Sequence, residues 1–226
     1  MNKNKSIIRV VAGAALAAAA LSAQAQVAGT WMLSGGVTQI APNTSSGTLS
    51  PPSPPGTTVD VGADTEPVLA VGRMLTDHWA VEVPVGLGFK HSITGTGAIS
   101  GVGQIGTVKA LPISVFLQYR FLEPRARVRP YAMLGATYAK FYGASGSATL
   151  TALNPLNPSG GTTLSVGSRW ALTPGVGVVA MLGERWYVDL HYARSFLKTT
   201  TTLSTGQSID TKLNPDAYTI AVGMLF

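Results

Sequence analysis

Residues 111–121 read Leu-Pro-Ile-Ser-Val-Phe-Leu-Gln-Tyr-Arg-Phe, and the alternation within this stretch decides the fold. In an extended chain, successive side chains point to opposite faces. One face would carry Leu111, Ile113, Val115, Leu117, Tyr119 and Phe121, and the other Ser114, Gln118 and Arg120. This pattern predicts a β-strand with one side in lipid and the other towards a lumen.

The same two-residue period recurs along the chain. Predicted strands cover residues 31–41, 67–75, 79–90, 109–121, 131–142, 170–181, 186–196 and 215–226. Short turns alternate with connections rich in Gly, Ser, Thr and Pro, at 43–66, 91–108, 143–169 and 197–214. The sequence therefore predicts an all-β fold, an eight-stranded antiparallel transmembrane up-and-down β-barrel with short periplasmic turns and long extracellular loops.

The alternation also assigns residues to the two faces of the barrel. In the third strand, the outward set is Val81, Val83, Val85, Leu87 and Phe89, opposite Glu82 and Lys90. A polar network in the lumen is predicted from Glu82, Gln118, Arg120, Asp189 and His191. An aromatic girdle at the turn ends is predicted from Trp79, Tyr119, Phe121 and Trp186. In the sixth strand, Pro174, Gly175 and Gly177 leave open a bulge or a lumen wall of small residues.

The N-terminus has the features of a cleaved signal peptide. Lys3, Lys5 and Arg9 precede an apolar run over residues 7–21, and Ala23-Gln24-Ala25 offers a cleavage site. We expect a signal peptide at 1–25, an outer-membrane β-barrel at 26–226, and export to the cell outer membrane. Without the leader, 13 basic residues face 10 acidic ones. This scattered excess predicts no nucleic-acid binding.

The last predicted strand ends on an aromatic residue. Its outward face carries Tyr218, Ile220, Val222, Met224 and Phe226. A terminal aromatic residue is typical of substrates of the barrel-assembly machinery, so Phe226 is predicted to be the membrane assembly signal. The predicted partners are this machinery, outer-membrane lipid and a small hydrophobic ligand, and the oligomeric state stays open.

The sequence offers little support for catalysis. Among the three histidines, His191 has an acidic neighbour on its own face, Asp189. Positions two residues apart on a strand are separated by about 7 Å, so tight pairing as a general base is not expected. Histidines and acids lack metal-ligand spacing, and no phosphate loop is found. The prediction is a protein that is not an enzyme, with no cofactor and no metal.

Several short motifs, taken in order, resemble the OmpW family of eight-stranded outer-membrane proteins. They are Gly29-Thr30-Trp31-Met32, Met74-Leu75-Thr76-Asp77, Ala80-Val81-Glu82, Gly88-Phe89-Lys90-His91, Leu111-Pro112, Leu117-Gln118-Tyr119-Arg120-Phe121, Arg129-Pro130-Tyr131, Gly135-Ala136-Thr137-Tyr138, Ser168-Arg169-Trp170 and Gly223-Met224-Leu225-Phe226. The resemblance implies a narrow, largely hydrophobic lumen that is closed towards the periplasm. It also implies passage of small hydrophobic molecules and a lateral opening in the wall.

The resemblance further implies a lumen gate. Trp170 matches the gating tryptophan of that family, whereas the matching leucine falls at Pro84. Because proline lacks a backbone N–H, a local break in strand pairing is expected near Pro84. Phe116 and Leu172 are expected near the lumen.

Three functions remain open at this stage. The first is a barrel that binds or passes small hydrophobic molecules across the outer membrane, with lateral exit. The alternative is a non-transporting surface or envelope protein whose extracellular loops bind a partner. An outer-membrane enzyme that depends on His191 is the third.

Overall fold

The computed structural model describes residues 26–153 and 161–226, so the predicted signal peptide at 1–25 lies outside the described residues. The strands are β1 (Trp31–Ala41), β2 (Ser45–Ser46), β3 (Thr57–Val61), β4 (Asp64–Met74), β5 (Trp79–Gly86), β6 (Phe89–Gly97), β7 (Gln104–Arg120), β8 (Val128–Gly146), β9 (Leu164–Val166), β10 (Arg169–Met181), β11 (Trp186–Arg194), β12 (Lys198–Leu203), β13 (Ser208–Lys212) and β14 (Asp216–Leu225). A short helix, α1, spans Ala148–Ala152. No helix among the described residues is long and apolar enough to cross a membrane.

The strands close into the predicted antiparallel barrel. Going around the wall, the order is β1, β4, β5 with β6, β7, β8, β10, β11 and β14. The barrel closes where β14 pairs with β1, from Met32 opposite Leu225 to Ala41 opposite Asp216. The eight-stranded prediction is confirmed. One end of the barrel carries the short turns and is called the turn end here, and the other is called the loop end.

The third predicted strand consists of two strands. β5 ends at Gly86, Leu87 and Gly88 lie outside the strands, and β6 begins at Phe89. This interruption shifts the alternation by one residue, so Phe89 is buried and Lys90 is exposed. The prediction that Phe89 faces outward and Lys90 inward is therefore wrong, because a one-residue shift moves every later side chain to the opposite face.

Aromatic side chains form two bands on the outer surface. At the turn end, Trp79 packs against Tyr119 with ring centroids 5.0 Å apart, and Tyr119 against Phe121 at 5.2 Å. At the loop end, Tyr138 packs against Trp170 at 5.2 Å and Tyr192 against Tyr218 at 5.3 Å. We call these the turn-end girdle and the loop-end girdle. Between them the exposed side chains are mainly aliphatic, including Leu69, Val83, Val85, Ile113, Val115, Leu134, Val176, Leu190 and Ile220.

The strands continue past the loop-end girdle into the predicted loops. β7 and β8 are 17 and 19 residues long, and β3 and β6 form a hairpin-like extension beside them. A second sheet, in the order β2, β13, β12 and β9, covers another part of this end. The connections predicted as loops are thus largely built from paired strands and α1.

Glycines on the inner wall make room for large side chains. A Cβ at Gly177 would collide with the Tyr131 ring, and one at Gly223 with the Tyr187 ring. The pairing of β10 with β8 runs from Arg169 to Ala180 without a shift in register. Of the two readings of the sixth predicted strand, the structure supports a lumen wall of small residues.

Candidate functional site in the lumen

The loop end of the lumen is an apolar funnel. Its cavity of about 130 Å³ is lined mainly by aliphatic and aromatic side chains, among them Ile93, Ile105, Val108, Phe141, Leu150, Leu164, Leu203 and Ile209. His91, beyond the loop-end girdle, also lines it and contacts the Gly62 carbonyl oxygen through Nδ1 at 2.8 Å. Burial lowers the pKa of His91 despite this hydrogen bond, so the ring is neutral at pH 7. The funnel therefore presents an uncharged surface.

A row of hydroxyl groups crosses the lumen below the funnel. The Thr137 hydroxyl is 2.9 Å from the hydroxyls of both Ser114 and Thr173, and Thr173 is 2.9 Å from that of Ser195. These groups satisfy one another, which is how buried hydroxyls avoid a large desolvation cost. They line a second cavity of about 100 Å³, which shares Thr137 with the funnel. The two cavities therefore adjoin.

Charged and polar side chains fill the lumen towards the turn end. The Arg120 guanidinium donates to Gln118 Oε1 at 3.0 and 3.3 Å and to Gln26 Oε1 at 2.5 Å. The Tyr131 hydroxyl donates to both carboxylate oxygens of Asp189, at 2.9 and 3.2 Å. The structure brings together all five residues of the predicted network, because Glu82, Gln118, Arg120, Asp189 and His191 all point inward. We call this layer the polar floor.

His191 and Asp189 lie closer together than their spacing predicts. His191 Nδ1 is 3.6 Å from Asp189 Oδ2, because the two side chains lean towards each other across the about 7 Å between their backbone positions. At 3.6 Å this contact is an ion pair when His191 is protonated, and it is too long for a hydrogen bond. The Asp189 carboxylate is instead hydrogen-bonded to Tyr131.

Arg129 is a part of the floor that the sequence reasoning missed. Its side chain is fully buried, and the guanidinium donates to backbone carbonyls of Gln26, Asp77, Arg120, Phe121 and Leu122, at 2.7–3.3 Å. The Arg129 side chain thus holds the N-terminal segment and two turns together through hydrogen bonds. The alternation gave no signal, because Arg129 precedes a proline in a stretch that looks like an exposed basic turn.

Strand pairing in the barrel wall is interrupted beside the second cavity. Pairing between β5 and β7 ends at Glu82 opposite Phe116, and pairing between β6 and β7 begins at Phe89 opposite Ala110. Residues 83–88 and 111–115 consequently lack a ladder to each other. Pro84 lies on one side of this wall gap and Pro112 on the other, and each lacks a backbone N–H. The break expected near Pro84 is present.

Trp170 does not lie in the lumen. Its side chain is 70% exposed and packs against Tyr138 in the loop-end girdle. Leu172, two residues further along β10, is 55% exposed on the same outer face, whereas Phe116 is buried in the lumen. The lumen placement of Trp170 and Leu172 is wrong, because the unbroken register of β10 keeps both on the outer face. Pro84 is partly buried and lines the second cavity.

A closed eight-stranded barrel with an aliphatic outer band between two aromatic girdles defines an outer-membrane β-barrel protein, with the turns periplasmic and the loops extracellular. The sequence profile of the OmpW family matches residues 27–226, and the chain belongs to this family. Outer membrane protein W of Vibrio cholerae is 30% identical over 96% of this chain and 99% of its own length. The protein resides in the outer membrane.

Solved structures share the fold. The crystal structure of the outer membrane protein OprG from Pseudomonas aeruginosa aligns with a TM-score of 0.80 at 24% identity, over 90% of this chain and 99% of that one. The solid-state NMR structure of the outer membrane protein AlkL in lipid bilayers aligns with a TM-score of 0.63 at 22% identity, over 92% and 94% of the two chains.

Proposed function

We propose that the protein binds small hydrophobic molecules in its extracellular funnel and passes them sideways into the membrane through the wall gap. The observation that carries this proposal is the continuity of the route. The funnel adjoins the second cavity, whose lining reaches both edges of the gap, at Pro84, Leu87, Leu111 and Pro112. A solute entering from outside meets the apolar funnel first, and then the second cavity, where hydroxyl groups that already satisfy one another lie beside the apolar edges of the gap.

The polar floor supports a sideways exit rather than passage into the periplasm. An apolar solute that crossed the floor would have to separate Arg120 from Gln118 and Tyr131 from Asp189. Buried polar groups that lose their partners cost about 1–3 kcal/mol each, so this route is strongly disfavoured. The wall gap requires no hydrogen bond to break, because its edges have no ladder.

The proposal predicts that one polar side chain in the funnel slows uptake. Ile93 is buried on the inner face of β6, and its neighbour Thr94 is on the outer face. We expect Ile93→Gln to lower the rate at which an apolar naphthylamine dye enters proteoliposomes by about tenfold, because the amide holds water that the dye must displace. Thr94→Gln is the matched control, with an unchanged rate. Equal dye uptake with and without the wild-type protein would overturn the proposal.

The polar floor argues against an enzyme, and the funnel argues against a protein that acts only through its loops. We infer no enzymatic role, because the Asp189 carboxylate is engaged by Tyr131 and Arg129 is engaged by backbone carbonyls. A surface protein that acts only through its loops has no need of an apolar cavity connected to a wall gap. In the dye assay, that alternative predicts the same uptake for liposomes with and without the protein.

We propose that Phe226 is read by the barrel-assembly machinery. Its backbone N–H donates to the Trp31 carbonyl at 3.0 Å and its carbonyl accepts from Trp31 N–H at 2.8 Å, which closes the barrel. Phe226→Ala keeps both bonds, so we expect several-fold less assembled protein in the outer membrane but an in vitro unfolding free energy changed by about 1 kcal/mol or less. Tyr218→Ala, on the same face of β14, is the control. Equal assembly of the two variants would contradict the role.

A further inference from the structure

Three lysines cluster on the outer surface just outside the loop-end girdle. Lys140 follows the girdle residue Tyr138 by two positions on β8, and its side chain is exposed on the same face. Lys109 on β7 lies opposite Tyr142, which makes it a diagonal neighbour of Lys140. Lys90 on β6 lies directly opposite Lys109. We call Lys90, Lys109 and Lys140 the lysine triad.

The lysine triad has no ion-pair partner in the described part of the chain. Within residues 26–153 and 161–226, none of the three lysines forms an ion pair with a carboxylate. The nearby Asp64 carboxylate accepts a hydrogen bond from the backbone N–H of Lys90, at 2.6 Å, and lies on the inner side of its strand. Like charges directly opposite each other on neighbouring strands destabilise a sheet. The pairing of Lys90 with Lys109 therefore costs stability in the isolated protein.

The same arrangement occurs a second time around the barrel. On the extracellular extension, Lys198 of β12 lies directly opposite Lys212 of β13, and both are exposed. The nearest acidic residue along β13, Asp210, accepts a hydrogen bond from the Thr200 hydroxyl at 2.6 Å. Two facing lysine pairs, Lys90 with Lys109 and Lys198 with Lys212, thus lie on the extracellular side of the loop-end girdle.

We propose that the lysine triad binds the phosphate group of an anionic lipid in the outer leaflet. The loop-end girdle marks the boundary of the hydrocarbon layer. Because strands rise about 3.3 Å per residue, a lysine two residues beyond the girdle lies at the depth of lipid headgroups. Ammonium groups at this depth attract anionic headgroups, and a phosphate between Lys90 and Lys109 removes their repulsion. The triad also lies directly above the wall gap, since Lys90 follows Gly88 by two residues. This inference is independent of the transport proposal.

The first experiment measures binding of bisphosphorylated lipid A to the full protein in phosphatidylcholine nanodiscs. Each surface lysine near an anionic headgroup contributes about a fivefold increase in affinity, so we expect K90Q/K109Q to bind about 20- to 30-fold more weakly. R125Q/R127Q removes the same charge from the exposed turn at the periplasmic end and should stay within about twofold of wild type. Equal weakening of both variants overturns the proposal, because net charge alone would then explain binding.

The second experiment uses thermal unfolding in the same nanodiscs. Without lipid A, Lys109→Gln should raise the unfolding temperature by about 1–4 °C, because it relieves the repulsion from Lys90. With lipid A present, the same substitution should lower it, because a phosphate contact is lost. A change of the same sign in both lipids overturns the proposal. Inorganic phosphate that stabilises the wild-type protein as well as lipid A does would also overturn it, in favour of a free anion.

Discussion

Cross-linking β5 to β7 across the wall gap should reduce uptake of an apolar dye to less than about a tenth of the wild-type rate. If exit through the gap is required for uptake, raising the barrier to this step by about 1.4 kcal/mol is enough to slow uptake tenfold. Val85 and Ile113 face outward on opposite edges of the gap. The chain contains no cysteine, so V85C/I113C can be joined by a bismaleimide with a reducible spacer without side reactions. Reduction of the spacer should restore uptake.

The matched control joins two strands that are already paired. Val71 on β4 lies directly opposite Val83 on β5, and both side chains are exposed. V71C/V83C with the same cross-linker adds the same mass to the lipid-facing surface but leaves the gap open. We expect wild-type uptake for this variant. Uptake that survives cross-linking of V85C/I113C would show that solutes do not leave through the wall gap.

Replacing Arg129 should have the largest effect on stability. Arg129→Ala removes the hydrogen bonds that five backbone carbonyls accept from the guanidinium, although the Arg120 carbonyl keeps its contact with His78 Nδ1. Even with water entering from the periplasm, we expect a loss of about 3–5 kcal/mol in unfolding free energy. Arg129→Lys should fall between wild type and alanine, because an ammonium has three donors where the guanidinium has five. Urea unfolding followed by tryptophan fluorescence measures both.

Arg127→Ala is the control for this substitution, since Arg127 lies in the same turn but is exposed. We expect it to change stability by less than about 0.5 kcal/mol. A planar-bilayer recording adds a second readout, in which loosening of the polar floor should raise ion conductance in the Arg129→Ala protein alone. Similar unfolding curves for the two alanine variants would show that the floor does not depend on Arg129.

The alternation of residues 111–121 predicted that strand and its faces, and the recurrence of the same period in seven other segments predicted the barrel. It works because each wall residue contacts either lipid or lumen, so two environments select two kinds of side chain. The same rule placed Gln118, Arg120 and Asp189 inside the lumen. Phe226 was recognised from its position at the end of the last strand, and its role in assembly stays a prediction.

The errors occurred where the alternation is interrupted or uninformative. The residue types around Phe89 do not show that the strand stops at Gly86 and that the next one begins at Phe89 in the opposite phase. In β10, Gly175 and Gly177, which make room for Met133 and Tyr131, removed the apolar signal of one face, so Trp170 could be placed only by resemblance. Arg129 was missed because its partners are backbone carbonyls from distant turns, which leave no trace in residue types.

Under the proposed function, exit into lipid alone limits how far the protein can concentrate a compound. A compound that leaves only into lipid ends at the concentration set by its own oil–water partition coefficient, which rises about fourfold for each added methylene. The barrel can shorten the time needed to reach that equilibrium, but it cannot move the equilibrium itself. Longer hydrocarbons should therefore accumulate most strongly, and any onward movement towards the cell interior needs a separate carrier or an enzyme that consumes the compound.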